Sequence, residues 1–219
     1  MKNIFNSIFW IFQPKYPEVK IRYGKLLDPI FTFYCQNNPA LKDSGWNDWT
    51  PPTRDKISEI IKKYREAWNK RSFNILRSIK NKTGLNFKHN LIDVYIVSGN
   101  NRQLSLPIVI KSGYSSDEFV EVLTHELIHQ LFNDNSDVVC GDFFKEMFPN
   151  ETETTQEHIV TFALLEYIYI EILGDISYIN NSRDNSKNPD YQKAWMIVKD
   201  LGYNSILNNF SLKIKKGKL

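Results

Sequence analysis

Cysteine is scarce in this 219-residue chain: Cys35 and Cys140 are the only two, 105 positions apart, and no CxxC pair is present. That excludes a disulfide framework and a zinc ribbon. Neither sign of charge dominates, with 28 Lys and Arg against 25 Asp and Glu. A net charge of +3 makes no field strong enough for nucleic acid to be expected as a principal partner. The basic end, "KIKKGKL", reads as a solvated tail. No run approaches roughly 18 apolar residues, so no membrane span is expected. The start, "MKNIFNSIFWIFQPKYPEVK", has its apolar stretch broken by Asn6 and Ser7 and shows no small-residue cleavage site before Pro14. It reads as mature sequence, with the cytoplasm as the default location. Internal repeats are absent too, and the one low-complexity patch, "NNSRDNSKN", is expected to be a mobile loop.

What is present is a 42% hydrophobic composition, enough to bury a core, and a length for which one domain over 1–219 is the default. Residues 1–50 read as irregular and aromatic-rich, closing on "GWNDWTPPT", whose Pro-Pro pair resists helix. From Asp55 a long helix is expected. Its apolar residues Ile57, Ile60, Ile61, Tyr64, Ala67, Trp68, Ile75, Leu76 and Ile79 recur at spacings of three and four, Gly84 stops it, and its apolar face suits a sheet. In "LIDVYIVSGNNRQLSLPIVIK" two β-branched stretches flank Gly99, Asn100 and Asn101, the pattern of a hairpin. Pro107 cannot donate to a ladder, so the second stretch is expected at an edge.

A helix opens at "SSDEF". Ser115 as N-cap and Glu118 three residues on make a capping box, and Asp117 suits the helix dipole. It is expected to run to about Phe132. A second helix from "NETETTQ" through "EHIVTFALLEYIYIEIL" to Gly174 is apolar almost all round and belongs in the interior. A short helix around Tyr191 to Lys199 follows, within a C-terminal helical segment 188–219.

On the capped helix stands "THELIHQLF". At 100° per residue, His125, Glu126 and His129 project at roughly 0°, 100° and 40°, so the three share one flank. Two neutral imidazoles one turn apart suit Zn²⁺, and the intervening carboxylate sits where it can take a proton from a water that the ion activates. With four histidines, an accidental HExxH arises in roughly one chain of this size in several hundred. The capped helix, the preceding strand and the buried helix that follows are the context that lifts the motif above that background.

A catalytic zinc takes a third protein ligand and keeps one position open. Cys140, 11 positions beyond His129, is one candidate, since a thiolate binds zinc well. Glu153 and Glu157 share a helical face, so that one can ligate while the other orients a histidine. Their bland reading is a first-turn acid complementing the dipole. Asp134 and Asp137 are loop residues that can accept from a ligand's outer nitrogen, or be merely solvated. Tyr191 and Tyr203 are candidates to donate to a developing oxyanion, and His89 reads as a surface residue.

These residues resemble the zincin superfamily of HExxH metallopeptidases, and within it gluzincin-like proteins, including small metallopeptidases of bacteria and their viruses. The resemblance spans roughly residues 90–174. It implies an α+β fold: a small mixed or antiparallel sheet whose edge strand, around Leu104 to Ile110, packs on the HExxH helix and adds an extended peptide, with a buried ligand helix beyond. It implies Zn²⁺ as cofactor and a peptide or protein as substrate, with Glu126 as general base. Metzincin-like proteins extend the motif at offsets that hold Phe132 and Asn135 here, which disfavours that class. Deformylase-like enzymes place their cysteine ahead of the motif, unlike Cys140. In gluzincin-like proteins the third ligand comes some 20 to 35 residues later, a window holding "TTQEHIVTFALLEY". The order of choice is therefore His158, 29 positions after His129, then Glu157, then Glu153. Many gluzincins use Glu at this place, so a histidine is a departure. Two other expectations remain open: a zincin-fold protein that binds zinc for structure or interaction without turnover, and a nucleic-acid-associated factor using the aromatic N-terminal region and basic tail.

Overall fold

A four-stranded mixed sheet, with one long helix against it, positions everything that follows. In the computed structural model, which describes residues 16–46, 49–101 and 103–217, the strands are β1 (Glu18–Tyr23), β2 (Leu91–Val97), β3 (Leu104–Ser105) and β4 (Ile108–Lys111). Their order is β1-β2-β4-β3; β1, β2 and β4 run parallel, and β3 is antiparallel to β4. The hairpin expected from the two apolar stretches is therefore corrected: Val94 and Ile108, Ile96 and Ile110 are partners in a parallel ladder. Strands buried on both faces carry continuous apolar runs, and Ile108, Val109 and Ile110 are all buried. Such runs have the same periodicity whichever way the strand points. The edge is corrected with it. Pro107 lies in the turn between β3 and β4, and on this side of the sheet Leu104–Ser105 forms the rim, with β1 at the opposite edge.

The first fifty residues were expected to be irregular, yet they supply β1, a helix α1 (Asp28–Asn37) and a 3-10 turn at Pro39–Ser44. Val19, Ile21 and Tyr23 alternate with Lys20 and Arg22, the period of two that a half-buried strand needs. The flanking prolines mask that alternation in the sequence. The reading of residues 1–15 as mature, packed sequence lies outside the described residues. At the sheet's end Asp28 is buried and accepts from the Ser98 amide (2.5 Å), the Ser98 hydroxyl (2.7 Å) and the Tyr23 hydroxyl (2.5 Å). It thereby ties the turn after β1 to the turn after β2.

The long helix, α2 (Arg54–Thr83), follows its sequence signals: the Thr53 side chain caps the Lys56 amide, and Gly84 ends the helix at φ 70°. Its buried stripe packs on β1 and on the motif helix, α3 (Ser116–Asp134). Between them the Tyr64 hydroxyl donates to the Tyr114 carbonyl (2.8 Å) and accepts the Tyr114 amide (3.1 Å), which fixes the loop entering α3.

Short α4 (Gly141–Met147) leads to α5 (Glu153–Tyr167), buried almost throughout and continued by a π-helical stretch, Ile168–Leu173, to Gly174 at φ 68°. The segment expected as a mobile loop, 180–188, is helical up to Asn185, within α6 (Ile176–Asn185). Ile179 is buried, and Arg183 lies 2.5 Å from Glu166 and over the Trp195 ring, contacts that outweigh a polar composition. Helix α7 (Pro189–Leu201) packs on α5. The C-terminal helical segment continues as α8 (Tyr203–Gly217), which includes most of the basic end and leaves Lys215 and Lys216 exposed. Its Ile206, Phe210 and Ile214 recur every four residues and are buried, so its lysines occupy the other face. No helix of the described residues is long and apolar enough to cross a membrane.

Candidate metal centre

The capping box that starts α3 is present in both directions, Ser115 Oγ accepting the Glu118 amide and Glu118 accepting the Ser115 amide. Two and a half turns later, with the core side of α3 taken by Leu123, Leu127, Ile128 and Leu131, the remaining flank presents His125 and His129. Their Nε2 atoms lie 2.9 Å apart. Across from them stands α5, capped by Thr152 and driven into the interior by Ile159, Phe162 and Ala163, and its second turn brings in His158. The ring centroids of His158 lie 5.3 Å from those of His125 and 4.9 Å from those of His129. One ligand atom from each ring falls within 4.8 Å of the others, a group able to hold a metal ion.

The outer nitrogens determine what the inner ones offer. His129 Nδ1 donates to Glu157 Oε1 at 2.7 Å, and His158 Nδ1 donates to the Thr154 carbonyl at 2.7 Å. Each bond places the proton on Nδ1 and turns an Nε2 lone pair inward. The Nε2 of His158 is buried and has no hydrogen-bond partner, a costly arrangement unless something electrophilic takes the lone pair. Burial, then the neighbouring histidines, holds His125 well below its ordinary pKa, and burial, then His129, lowers His158 to about 4. Neutral imidazoles are what a divalent ion requires. Nitrogens bound at about 2.0–2.1 Å to one tetrahedral ion lie about 3.3 Å apart, so the His125–His129 pair is already near that spacing.

Glu126 is buried, and burial raises its pKa while the Ser105 hydroxyl, donating to Oε2 at 2.5 Å, opposes that rise. Burial also acts to raise Glu157, but the hydrogen bond from His129 and the electrostatic influence of the His129 and His158 rings prevail, and its pKa is lowered. All five side chains line one cleft of about 630 Å³. A second cavity of about 830 Å³ adjoins it, sharing His125 and Tyr191.

The structure thus brings His125, His129 and His158 together and sets Glu157 behind His129 as its orienting partner. Glu153 and Cys140 line the cleft wall but are not in the group of converging atoms. Asp134 faces elsewhere, buried, accepting the Lys88 amide and Gln130, and Asp137 meets Lys88 at 3.1 Å, so neither orients a ring of this site. His89 is exposed, 3.9 Å from Asp134. Tyr191 stacks on His158 with centroids 4.2 Å apart, whereas Tyr203 donates to Glu171 and lines neither cavity. Sequence reasoning missed Ser105 and the Thr154 carbonyl. The first carries no motif, and the second is a backbone atom whose role depends only on the i to i−4 spacing from His158. The chain matches no family model, no curated protein and no solved structure.

Proposed function

We propose that this chain is a zinc-dependent metallopeptidase of zincin-like architecture, with His125, His129 and His158 as ligands and Glu126 as general base. The observation that carries the reading is the unpartnered, buried Nε2 of His158, in a ring that offers a ligand atom within 4.8 Å of those of the HELIH pair. A zinc ion bound there supplies Lewis acidity, lowering the pKa of a water to about 7 and polarising a carbonyl.

The chain's own residues do the rest. Glu126, in the same cleft, accepts the proton of the attacking water and returns it to the leaving amine. Glu157 and the Thr154 carbonyl hold two of the rings in the tautomer that binds. Tyr191, stacked on His158 in the wall of the cleft, is the candidate donor to an oxygen that gains charge. The two-residue rim β3 leaves a sheet edge beside the cleft, to which an extended peptide can add main-chain hydrogen bonds.

Zinc-loaded protein incubated with an internally quenched peptide library tests this. Cleavage by wild type, abolished in Glu126→Gln with bound zinc retained, is the expected result. One zinc per chain with no turnover that Glu126 controls would instead identify a zinc-binding structural or interaction protein.

A further inference from the structure

Building on the peptidase reading, we propose that Ser105 is a positioning residue that fixes the orientation of the Glu126 carboxylate. Its hydroxyl donates to Glu126 Oε2 at 2.5 Å. That bond commits one oxygen and leaves the other, Oε1, to accept the proton. A glutamate has three side-chain torsions, and the last is broad, so a carboxylate without such a partner turns freely within its space.

The hydroxyl is itself held in place. Ser105 pairs with Ile108 and Leu104 with Val109, which ties β3 to the buried strand β4. Just upstream, Gln103 is anchored at both ends of its amide: Nε2 donates to the Tyr114 hydroxyl, and Oε1 accepts the Lys111 amide at 3.3 Å. Tyr114 is in turn fixed by Tyr64, as described above. The serine is thus carried on a short hairpin joined to the sheet on one side and to the start of the motif helix on the other. A group that sets a base to sub-ångström accuracy needs support of this kind.

A general base must come within about 2.6–3.2 Å of the atom that carries the proton it removes, and a misplacement of about 1 Å costs on the order of 10²-fold in rate. Ser105 touches the base rather than the reacting atoms. Its loss is therefore expected in turnover, and not in metal or substrate binding.

The test compares zinc-loaded wild type, Ser105→Ala, Ser105→Thr, Ser105→Val and Glu126→Gln on quenched peptides, reading kcat, KM and bound zinc. Expected is a fall of about ten- to a hundredfold in kcat for Ala, with KM within about twofold and zinc unchanged, and recovery of most activity in Thr. Should Ala fail to fold, the Thr and Val pair decides, since both suit a strand and they differ only in the hydroxyl: Val inactive beside active Thr supports the assignment. Wild-type kcat in Ala or Val, with Glu126→Gln inactive, overturns the assignment and leaves the peptidase reading intact. Loss of zinc, or a defect that Thr does not relieve, also overturns it by showing a structural role. Wild type and Glu126→Gln equally inactive while zinc-loaded would refute the peptidase reading itself, and the role of Ser105 with it.

Discussion

Glu157 accepts a hydrogen bond from His129 Nδ1 at 2.7 Å across the gap between α3 and α5. A carboxylate behind a ligating imidazole fixes the ring's tautomer and raises the basicity of its far nitrogen. Replacing Glu157 by Gln should weaken zinc binding by about ten- to a hundredfold without changing the stoichiometry. Competition against a chelator of known affinity measures it. Unchanged affinity would mean that the ring is oriented by packing alone.

The pKa of His158 in the folded metal-free protein, about 4, lies below its ordinary 6.5 because the ring is buried beside His129. Between those values the unfolded chain binds more protons than the folded one, so this residue's contribution to stability falls as the pH drops from 6.5 towards 4. The stability of metal-free wild type relative to His158→Gln should therefore decline over that window and level off below it. Denaturant titrations of both proteins at pH 7.5, 6, 5 and 4 reveal the difference. Zinc should suppress the decline until acid displaces it.

Glu121, one turn before His125, shifts the other way. Burial and then Glu118 raise its pKa to about 8, from an ordinary value of 4.5, while Ser182 partly offsets them. A folded carboxyl that keeps its proton loses stability relative to the unfolded chain as pH rises from 4.5 to 8. Glu121→Gln should leave the melting temperature unchanged at pH 4 and raise it by a few degrees at pH 8.5. A variant less stable at both values would show that the carboxylate is held ionised.

Phe210 on α8 is fully buried among Phe132, Phe143 and Phe144, with ring centroids 5.8, 5.3 and 6.4 Å away. Truncating a buried phenylalanine costs about 3–5 kcal/mol. Phe210→Ala should lower stability by that order, measured by denaturant unfolding. A cost below about 0.5 kcal/mol, typical of surface sites, would contradict the packing of α8 on this aromatic cluster.

Local signals carried far where one stretch of chain contained the whole cause. The capping box at Ser115, the stop at Gly84 and the buried character of "EHIVTFALLEY" each depend on residues a few positions apart, and each is present in the fold. Strand direction is different in kind. The apolar runs around Val94 and Ile108 are equally compatible with either orientation, and the parallel ladder forms because the chain reversal falls at β3, which pairs antiparallel with β4. Polarity likewise misled at Arg183, where Glu166 and Trp195, distant in sequence, decide. In the cleft, the pair His125 and His129 is written in the helix period, and His158 was reached only through a resemblance. Ser105 was invisible, because the carboxylate it holds lies 21 residues away on another element.

Metal content of purified wild type beside His158→Ala, each loaded with zinc and dialysed against a weak chelator, bears most directly on the three-histidine centre. One zinc per chain in wild type and a loss of at least a hundredfold in affinity for the variant, with the fold retained by circular dichroism, is the predicted result. Full occupancy at native affinity in His158→Ala, or no zinc in wild type, would contradict it.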